Sequence, residues 1–88
     1  MSLEIFFHDD ALEDYLYFKN SHPKLYEKIN LLIKDINNDY YKGLGKPEPL
    51  KYALSGFWSR RISPEHRLVY QVTDGGIYVL KCRYHYYD

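Results

Sequence analysis

The chain has 88 residues, 45% of them hydrophobic and 18% aromatic, and a formal net charge of zero. This length predicts one domain spanning residues 1–88, and the apolar content excludes a disordered chain. The single cysteine, Cys82, excludes an internal disulfide and is expected to be a small buried hydrophobe. No signal peptide is recognisable and no apolar run approaches the ~20 residues that span a bilayer. We therefore expect a cytoplasmic protein that does not contact a membrane.

The first half of the chain predicts one strand and two helices. Residues 3–7 are a short apolar run typical of a strand, and residues 11–20 predict a helix whose packed face carries Leu12, Tyr15 and Leu16. Pro23 is placed to occupy the first turn of a second helix, which ends near Asn38. This helix has the clearest periodicity of the chain, through Leu25, Ile29, Leu32, Ile33 and Ile36.

The second half predicts an antiparallel sheet with strands at residues 51–54, 57–62, 67–73 and 77–84. A three-residue loop at 74–76 is expected, pairing Thr73 with Ile77 and Arg67 with Arg83. In that register the buried face carries Leu68, Tyr70, Val72, Tyr78, Leu80 and Cys82. The opposite face then carries Arg67, Lys81, Arg83 and His85, joined by Arg61. With the two helices, this pattern predicts an α+β fold.

Charge is distributed unevenly along the chain. Residues 1–40 contain four Lys or Arg against eight Asp or Glu, and residues 41–88 contain eight against four. A basic half on a small domain is the electrostatic footprint expected for a polyanionic partner such as RNA. An unevenly charged, solvated surface is the alternative reading of the same pattern.

The basic half also contains the side chains needed to cleave RNA without a metal. Glu48 lies between two prolines that stiffen it, as suits a general base, and His85 is suited to donate a proton near neutral pH. Taken singly, each is more typical of an ordinary surface position. Phosphate-binding candidates are Lys46, Lys51, Arg61, Arg67 and Arg83, and bases could stack on Tyr84, Tyr86 and Tyr87. No Walker loop, GxGxxG or zinc-like spacing supports a competing chemistry, and we expect no cofactor.

Four strings of the chain resemble one family in order and spacing: DYLYF, KINLLIKDI, GKPEPLKYALSGFWSRRISPEHRLVY and CRYHY. They are similar to the YoeB/Txe branch of the RelE/ParE superfamily of bacterial toxins. The resemblance implies a RelE-like (microbial RNase-type) fold, with an N-terminal strand and two helices packed on a twisted, mainly antiparallel sheet. It also implies an mRNA endonuclease that acts in the ribosomal A site between the 30S and 50S subunits. A cognate YefM/Phd-type antitoxin is the expected partner, and the choice between monomer and homodimer stays open.

The same resemblance implies roles for individual residues. The general base of the family falls on Glu48, its phosphate-stabilising arginine on Arg67, its general acid on His85 and its terminal tyrosine on Tyr86. Substrate and phosphate contacts fall on Lys51 and Arg61. Two alternatives remain at this point: a ParE-like toxin that poisons DNA gyrase, and a catalytically silent module that binds an antitoxin.

Overall fold

A computed structural model describes residues 3–85 of the chain. The elements follow in the order β1 (Ile5–Phe7), α1 (Asp9–Ser21), α2 (Pro23–Asn38), β2 (Glu48–Pro49), a 3₁₀ helix (Tyr52–Leu54), β3 (Trp58–Arg61), β4 (Arg67–Thr73) and β5 (Gly76–Lys81). The strands form one sheet in the spatial order β1-β5-β4-β3-β2. Only the β1–β5 pair among them is parallel. The predicted α+β class, with two helices and a mainly antiparallel sheet, is confirmed.

Helix α2 supplies the largest share of the helical core, as its periodicity predicts. Ile29, Leu32, Ile33 and Ile36 are buried, and Leu25 packs against the same cluster. Pro23 lies in the first turn, where its missing N–H costs no hydrogen bond. These side chains meet Leu68, Tyr70, Ile77, Val79 and Cys82 of the sheet and the segment after it. The thiol of Cys82 is fully buried, as expected, and its burial raises its pKa to about 12.

The predicted packing face of α1 is wrong in part. Ala11 and Phe18 are the buried residues of this helix, whereas Leu12 and Leu16 remain 42% and 44% exposed. Tyr15 does pack against the core. The helix presents apolar side chains all round its circumference, so composition alone does not identify the face that is buried.

The predicted register of the β4–β5 hairpin is wrong next to the turn, whereas beyond the bulge Val69 pairs with Lys81, as the predicted register requires. Thr73 pairs with Gly76 across a two-residue turn, and Val72 pairs with Ile77. Ile77 and Val79 consequently enter the core, while Tyr78 and Leu80 are only partly buried. A bulge between Val69 and Tyr70 then shifts the register by one residue. This shift returns Cys82 to the core side, which is why the prediction for that residue holds.

Residues 51–54, predicted as the first strand of the second half of the chain, instead contain the 3₁₀ helix Tyr52–Leu54. On the side of β3 away from β4, the pairing strand is the shorter β2, with Glu48 opposite Ser59 and Pro49 opposite Trp58. Proline is tolerated there because β2 is an edge strand of the described sheet. Within residues 3–85, no helix combines the length and the apolar character needed to cross a bilayer.

A buried arginine joins the sheet to the loop that follows α2. Arg60 is fully buried, and its Nη1 lies 2.6 Å from the Asp35 carboxylate. The guanidinium also donates to the carbonyls of Asp39, Lys42 and Leu44. The Leu44 N–H, together with Arg60, lowers the pKa of Asp35. This network fixes the path of the chain towards β2.

Candidate active site

Strands β2, β3 and β4 and the C-terminal segment border one polar cleft. Its volume is about 210 Å³, and it lies on the sheet face that points away from the helices. The residues that line it are Lys46, Glu48, Ser59, Arg61, Arg67 and His85. The structure thus brings together five of the predicted site residues: Lys46, Glu48, Arg61, Arg67 and His85.

A close backbone approach brings Glu48 and Lys46 to the cleft. The Arg61 N–H donates to the Gly45 carbonyl at 2.6 Å. Gly45 has φ +81°, and a Cβ there would lie 3.0 Å from atoms of Leu32, Arg60 and Arg61. Only glycine fits this contact without displacing its neighbours. The chain then continues directly into Lys46 and the proline-flanked Glu48.

Two arginines face each other across the β3–β4 ladder at the edge of the cleft. Arg61 is directly opposite Arg67, and like charges in such positions destabilise a sheet unless an anion lies between them. A neighbouring groove of about 580 Å³ shares Lys46, Arg61 and Arg67 with the cleft and adds Lys28 of α2. This arrangement favours an extended polyanion such as a nucleic-acid backbone.

The turn at residues 63–66 forms hydrogen bonds with two side chains of the cleft, His85 and Arg67. His85 Nε2 lies 3.0 Å from the Pro64 carbonyl, which can only accept, so this nitrogen carries a proton in the observed arrangement. Arg67 Nη1 donates to the carbonyls of Ser63 at 2.7 Å and His66 at 3.0 Å. A proton donor and a cation therefore converge on the same turn.

Two predicted site residues, Arg83 and Lys51, do not line the cleft, and a third falls outside the described residues. Arg83 faces α1, with Nη1 3.3 Å from the Asp14 carboxylate and its guanidinium stacked 4.4 Å from the Tyr17 ring. Its predicted position on the cleft face is wrong because β5 ends at Lys81, so strand alternation does not extend to residue 83. Lys51 is exposed and is not among the lining residues. Tyr86 lies outside the described residues, as does the stacking candidate Tyr87.

Sequence reasoning assigned no role to Ser59 of the cleft or to Lys28 of the neighbouring groove. Ser59 is 4% exposed, lines the cleft and pairs with Glu48 across the β2–β3 ladder. Its alternation with Arg61 along β3 was the signal that could have identified it. Lys28 belongs to a helix whose polar face resembles an ordinary solvated surface, so only the folded arrangement reveals its proximity to the arginines.

The chain is similar in sequence to a known protein family over most of its length. Residues 7–86 match the YoeB-like toxins of bacterial type II toxin–antitoxin systems. The chain belongs to this family. Toxin YoeB of Escherichia coli strain K12 is 50% identical over 84 residues, which cover 96% of this chain and 100% of that protein.

Solved structures of the YoeB family agree with this assignment. The YoeB–YefM complex from Staphylococcus aureus contains a chain 48% identical, with a TM-score of 0.90 over 98% of this chain and 100% of that one. A YoeB dimer from the same organism matches at 48% identity with a TM-score of 0.91 and the same coverage. The fold is therefore that of the RelE-like toxins, as the resemblance implied.

Proposed function

We propose that this chain is the toxin of a type II toxin–antitoxin module and that it cleaves mRNA in the ribosomal A site. The observation that carries the proposal is the cleft in which Glu48 and His85 share a lining with Lys46, Arg61 and Arg67. These are the groups that intramolecular cleavage of RNA requires: a base, an acid and cations. Family membership supports the same conclusion.

The reaction begins at the ribose 2′-hydroxyl next to the scissile phosphate. Glu48 accepts the hydroxyl proton while the 2′-oxygen forms a new bond to phosphorus. The bond between phosphorus and the 5′-oxygen breaks, and His85 donates a proton to that leaving oxygen. The products are a 2′,3′-cyclic phosphate, which water can open to a 3′-phosphate, and a 5′-hydroxyl.

The cations stabilise the charge that builds up on the phosphoryl oxygens during this step. Arg67 and Arg61 lie on the two sides of the β3–β4 ladder, so a phosphate between them would relieve their mutual repulsion. Lys46 adds a point charge at the same cleft. In this proposal Lys51 contributes at the periphery and Tyr86 contacts the substrate beside His85.

The partners we propose follow from the solved relatives. The S. aureus YoeB structures comprise a heterotetrameric complex with YefM and a YoeB dimer. For this chain we accordingly propose a YefM/Phd-type antitoxin and a homodimeric form. The mRNA would be engaged on the ribosome with contacts to both subunits, which makes the cytoplasm the site of action.

Growth arrest on expression in bacteria tests the proposal at the level of single residues. We expect Glu48→Gln, Arg67→Ala and His85→Ala each to abolish arrest, because each removes a group that acts on the reacting atoms. Loss of a general acid or base typically lowers the rate by a factor of about 10² to 10⁴. All three variants should still co-purify with the antitoxin. This result would show that their loss of activity is not caused by unfolding.

A matched control is Glu27→Gln, which removes an exposed carboxylate of α2 that lines neither the cleft nor the neighbouring groove. This variant should arrest growth as the parent chain does. Arrest by all three cleft variants would contradict the nuclease proposal. It would favour a toxin that acts by binding, such as a ParE-like inhibitor of DNA gyrase.

A further inference from the structure

The segment that carries His85 is attached to the start of β4 through the backbone of Tyr84. The Tyr84 N–H donates to His66 Nδ1 at 2.8 Å, and the Arg67 N–H donates to the Tyr84 carbonyl at 3.1 Å. Both backbone polar groups of Tyr84 are therefore satisfied by two consecutive residues. The position of His85 depends on this attachment, since β5 has already ended at Lys81.

Tyr84 needs such support because its own conformation is unfavourable. Its φ is +60°, in the left-handed region that bulky residues rarely adopt. Residues in this region persist only where the surrounding contacts hold them. Loss of the hydrogen bond to His66 would remove one of the contacts that hold Tyr84, and His85 follows it directly.

The His66 side chain is itself held in place by packing. Its ring lies between Phe18 of α1 and Tyr84, with centroid distances of 5.2 Å and 5.6 Å. Because Nδ1 accepts from a backbone N–H, the neutral ring carries its proton on Nε2. His66 therefore connects α1, the turn at 63–66 and the C-terminal segment.

We propose that His66 is a positioning residue for RNA cleavage: by accepting the Tyr84 N–H, it sets where His85 lies over the cleft. This inference rests on the proposed function and deepens it, because the groups proposed for the reaction do not include this histidine. His66 acts through the backbone and touches no reacting atom. Nothing in its role requires it to exchange a proton with the substrate.

The proposal has a consequence for pH dependence. Burial lowers the pKa of His66 from its ordinary value of 6.5. Four neighbouring charged or titratable groups also influence this pKa. Asp14 lies on α1 and His22 directly after it, Glu65 lies on the turn at 63–66, and Arg83 lies on the C-terminal segment. Protonated His66 has no acceptor at Nδ1 and would lose the Tyr84 hydrogen bond. Both the attachment and cleavage are therefore expected at higher pH, and both weaken as pH falls below 6.5 through the folded-state pKa.

Two substitutions separate the hydrogen bond from the packing. His66→Phe keeps a ring between Phe18 and Tyr84 but has no acceptor. His66→Asn has a smaller side chain whose Oδ1 occupies the bonded position of Nδ1 and can accept the same N–H. His22→Phe is the matched control, because His22 also packs against Phe18, at 6.1 Å, and its contacts do not involve Tyr84.

The measurements are the cleavage rate of an A-site mRNA and the hydrogen exchange of the Tyr84 amide. We expect His66→Phe to lower kcat about 100-fold, the scale of a misplaced catalytic group, with little change in KM. Its Tyr84 amide should exchange faster, while amides of α2 stay protected and report an intact fold. His66→Asn should recover most of the lost kcat and lack the acid limb assigned to His66. His22→Phe should match the parent in kcat and in Tyr84 amide exchange at pH above 6.5, where the effect of His22 on the pKa of His66 has no consequence.

Each outcome decides one statement. The role of His66 would be overturned if His66→Phe kept the parent kcat. It would also be overturned if the Tyr84 amide exchanged at the same rate in the parent and in His66→Phe. Equal losses in His66→Asn and His66→Phe would also overturn it, because packing and not the acceptor would then be responsible. A parent chain that cleaves no RNA would contradict the proposed function itself, and the amide exchange would still report whether His66 holds the segment.

Discussion

Arg60 and Arg61 show how adjacent identical residues acquire opposite roles. Successive side chains of β3 point to opposite faces of the sheet. Arg60 is fully buried on the helix side and bound to Asp35, whereas Arg61 is exposed at the cleft opposite Arg67. Arg60 is therefore a structural residue that fixes the loop leading to Lys46 and Glu48, and Arg61 is a candidate for phosphate binding.

This difference predicts opposite effects of the same substitution. Arg60→Leu should lower the free energy of unfolding by about 3 kcal/mol, because it strands the Asp35 carboxylate and three loop carbonyls. We take the lower end of the usual range because the Asp35 side chain keeps 23% of its exposure. Arg61→Leu should change stability by less than about 0.5 kcal/mol but reduce RNA cleavage. Urea denaturation and the cleavage assay measure the two effects.

Equal stability losses for the two variants would contradict this division of roles. Asp35→Asn is a useful companion, since it removes the charge but keeps the shape of the partner. Its effect should be present at neutral pH and shrink as the pH falls below 3.8 through the folded-state pKa, which lies lower.

At the scale of elements, the two helices differ in how much their sequences reveal. Most apolar residues of α2 form one stripe, with Leu31 outside it, so the pattern identifies both the helix and the side that packs on the sheet. In α1 the exposed residues Leu12 and Leu16 are as apolar as the buried Ala11 and Phe18. The local pattern indicates a helix there, and only packing against the sheet decides its orientation.

The stripe of α2 predicts a contrast between two neighbouring aliphatic residues. Ile29 is fully buried, and Leu31 is 48% exposed. Ile29→Ala should lower the free energy of unfolding by about 3 kcal/mol, because it leaves a cavity in the core. Leu31→Ala should cost less than about 0.5 kcal/mol. Similar midpoints of thermal unfolding for both variants would show that α2 does not pack as described.

The β4–β5 hairpin marks a limit of pattern reasoning. Its turn residues Asp74 and Gly75 are compatible with two-residue and three-residue loops, and the apolar pairs can be matched in either register. The bulge between Val69 and Tyr70 changes the register of the strand pair, and no residue type in this segment predicts a bulge. The strand β4 itself, residues 67–73, lies where its composition predicts.

At the scale of the whole molecule, the candidate site forms where distant segments meet. Glu48 arrives on an edge strand, Arg61 and Arg67 on a ladder, and His85 on the segment after β5. The sequence predicts these residues through their chemistry and through the resemblance to the YoeB branch. It does not predict that Arg83 turns to α1, because that depends on where β5 ends.

The acidic and basic halves of the sequence become two parts of one fold. Three cationic residues of the second half, Lys46, Arg61 and Arg67, meet Lys28 of the first at the groove beside the cleft. Asp14 and Asp35 instead bind Arg83 and Arg60, which do not line that groove. The net charge of zero therefore coexists with a cationic face. The carboxylates that bind Arg60 and Arg83 therefore lie apart from Arg61 and Arg67, the arginines to which the proposed function assigns phosphate binding.

Primer-extension mapping of an mRNA translated by purified ribosomes tests the central claim most directly, with the parent chain and His85→Ala compared at equal concentration. The account predicts a cut within the A-site codon by the parent and a rate lower by about 10² to 10⁴ in the variant. An unchanged rate in His85→Ala would contradict the role of the histidine as acid. Absence of any cut by a parent chain that still arrests growth would contradict RNA cleavage as its function.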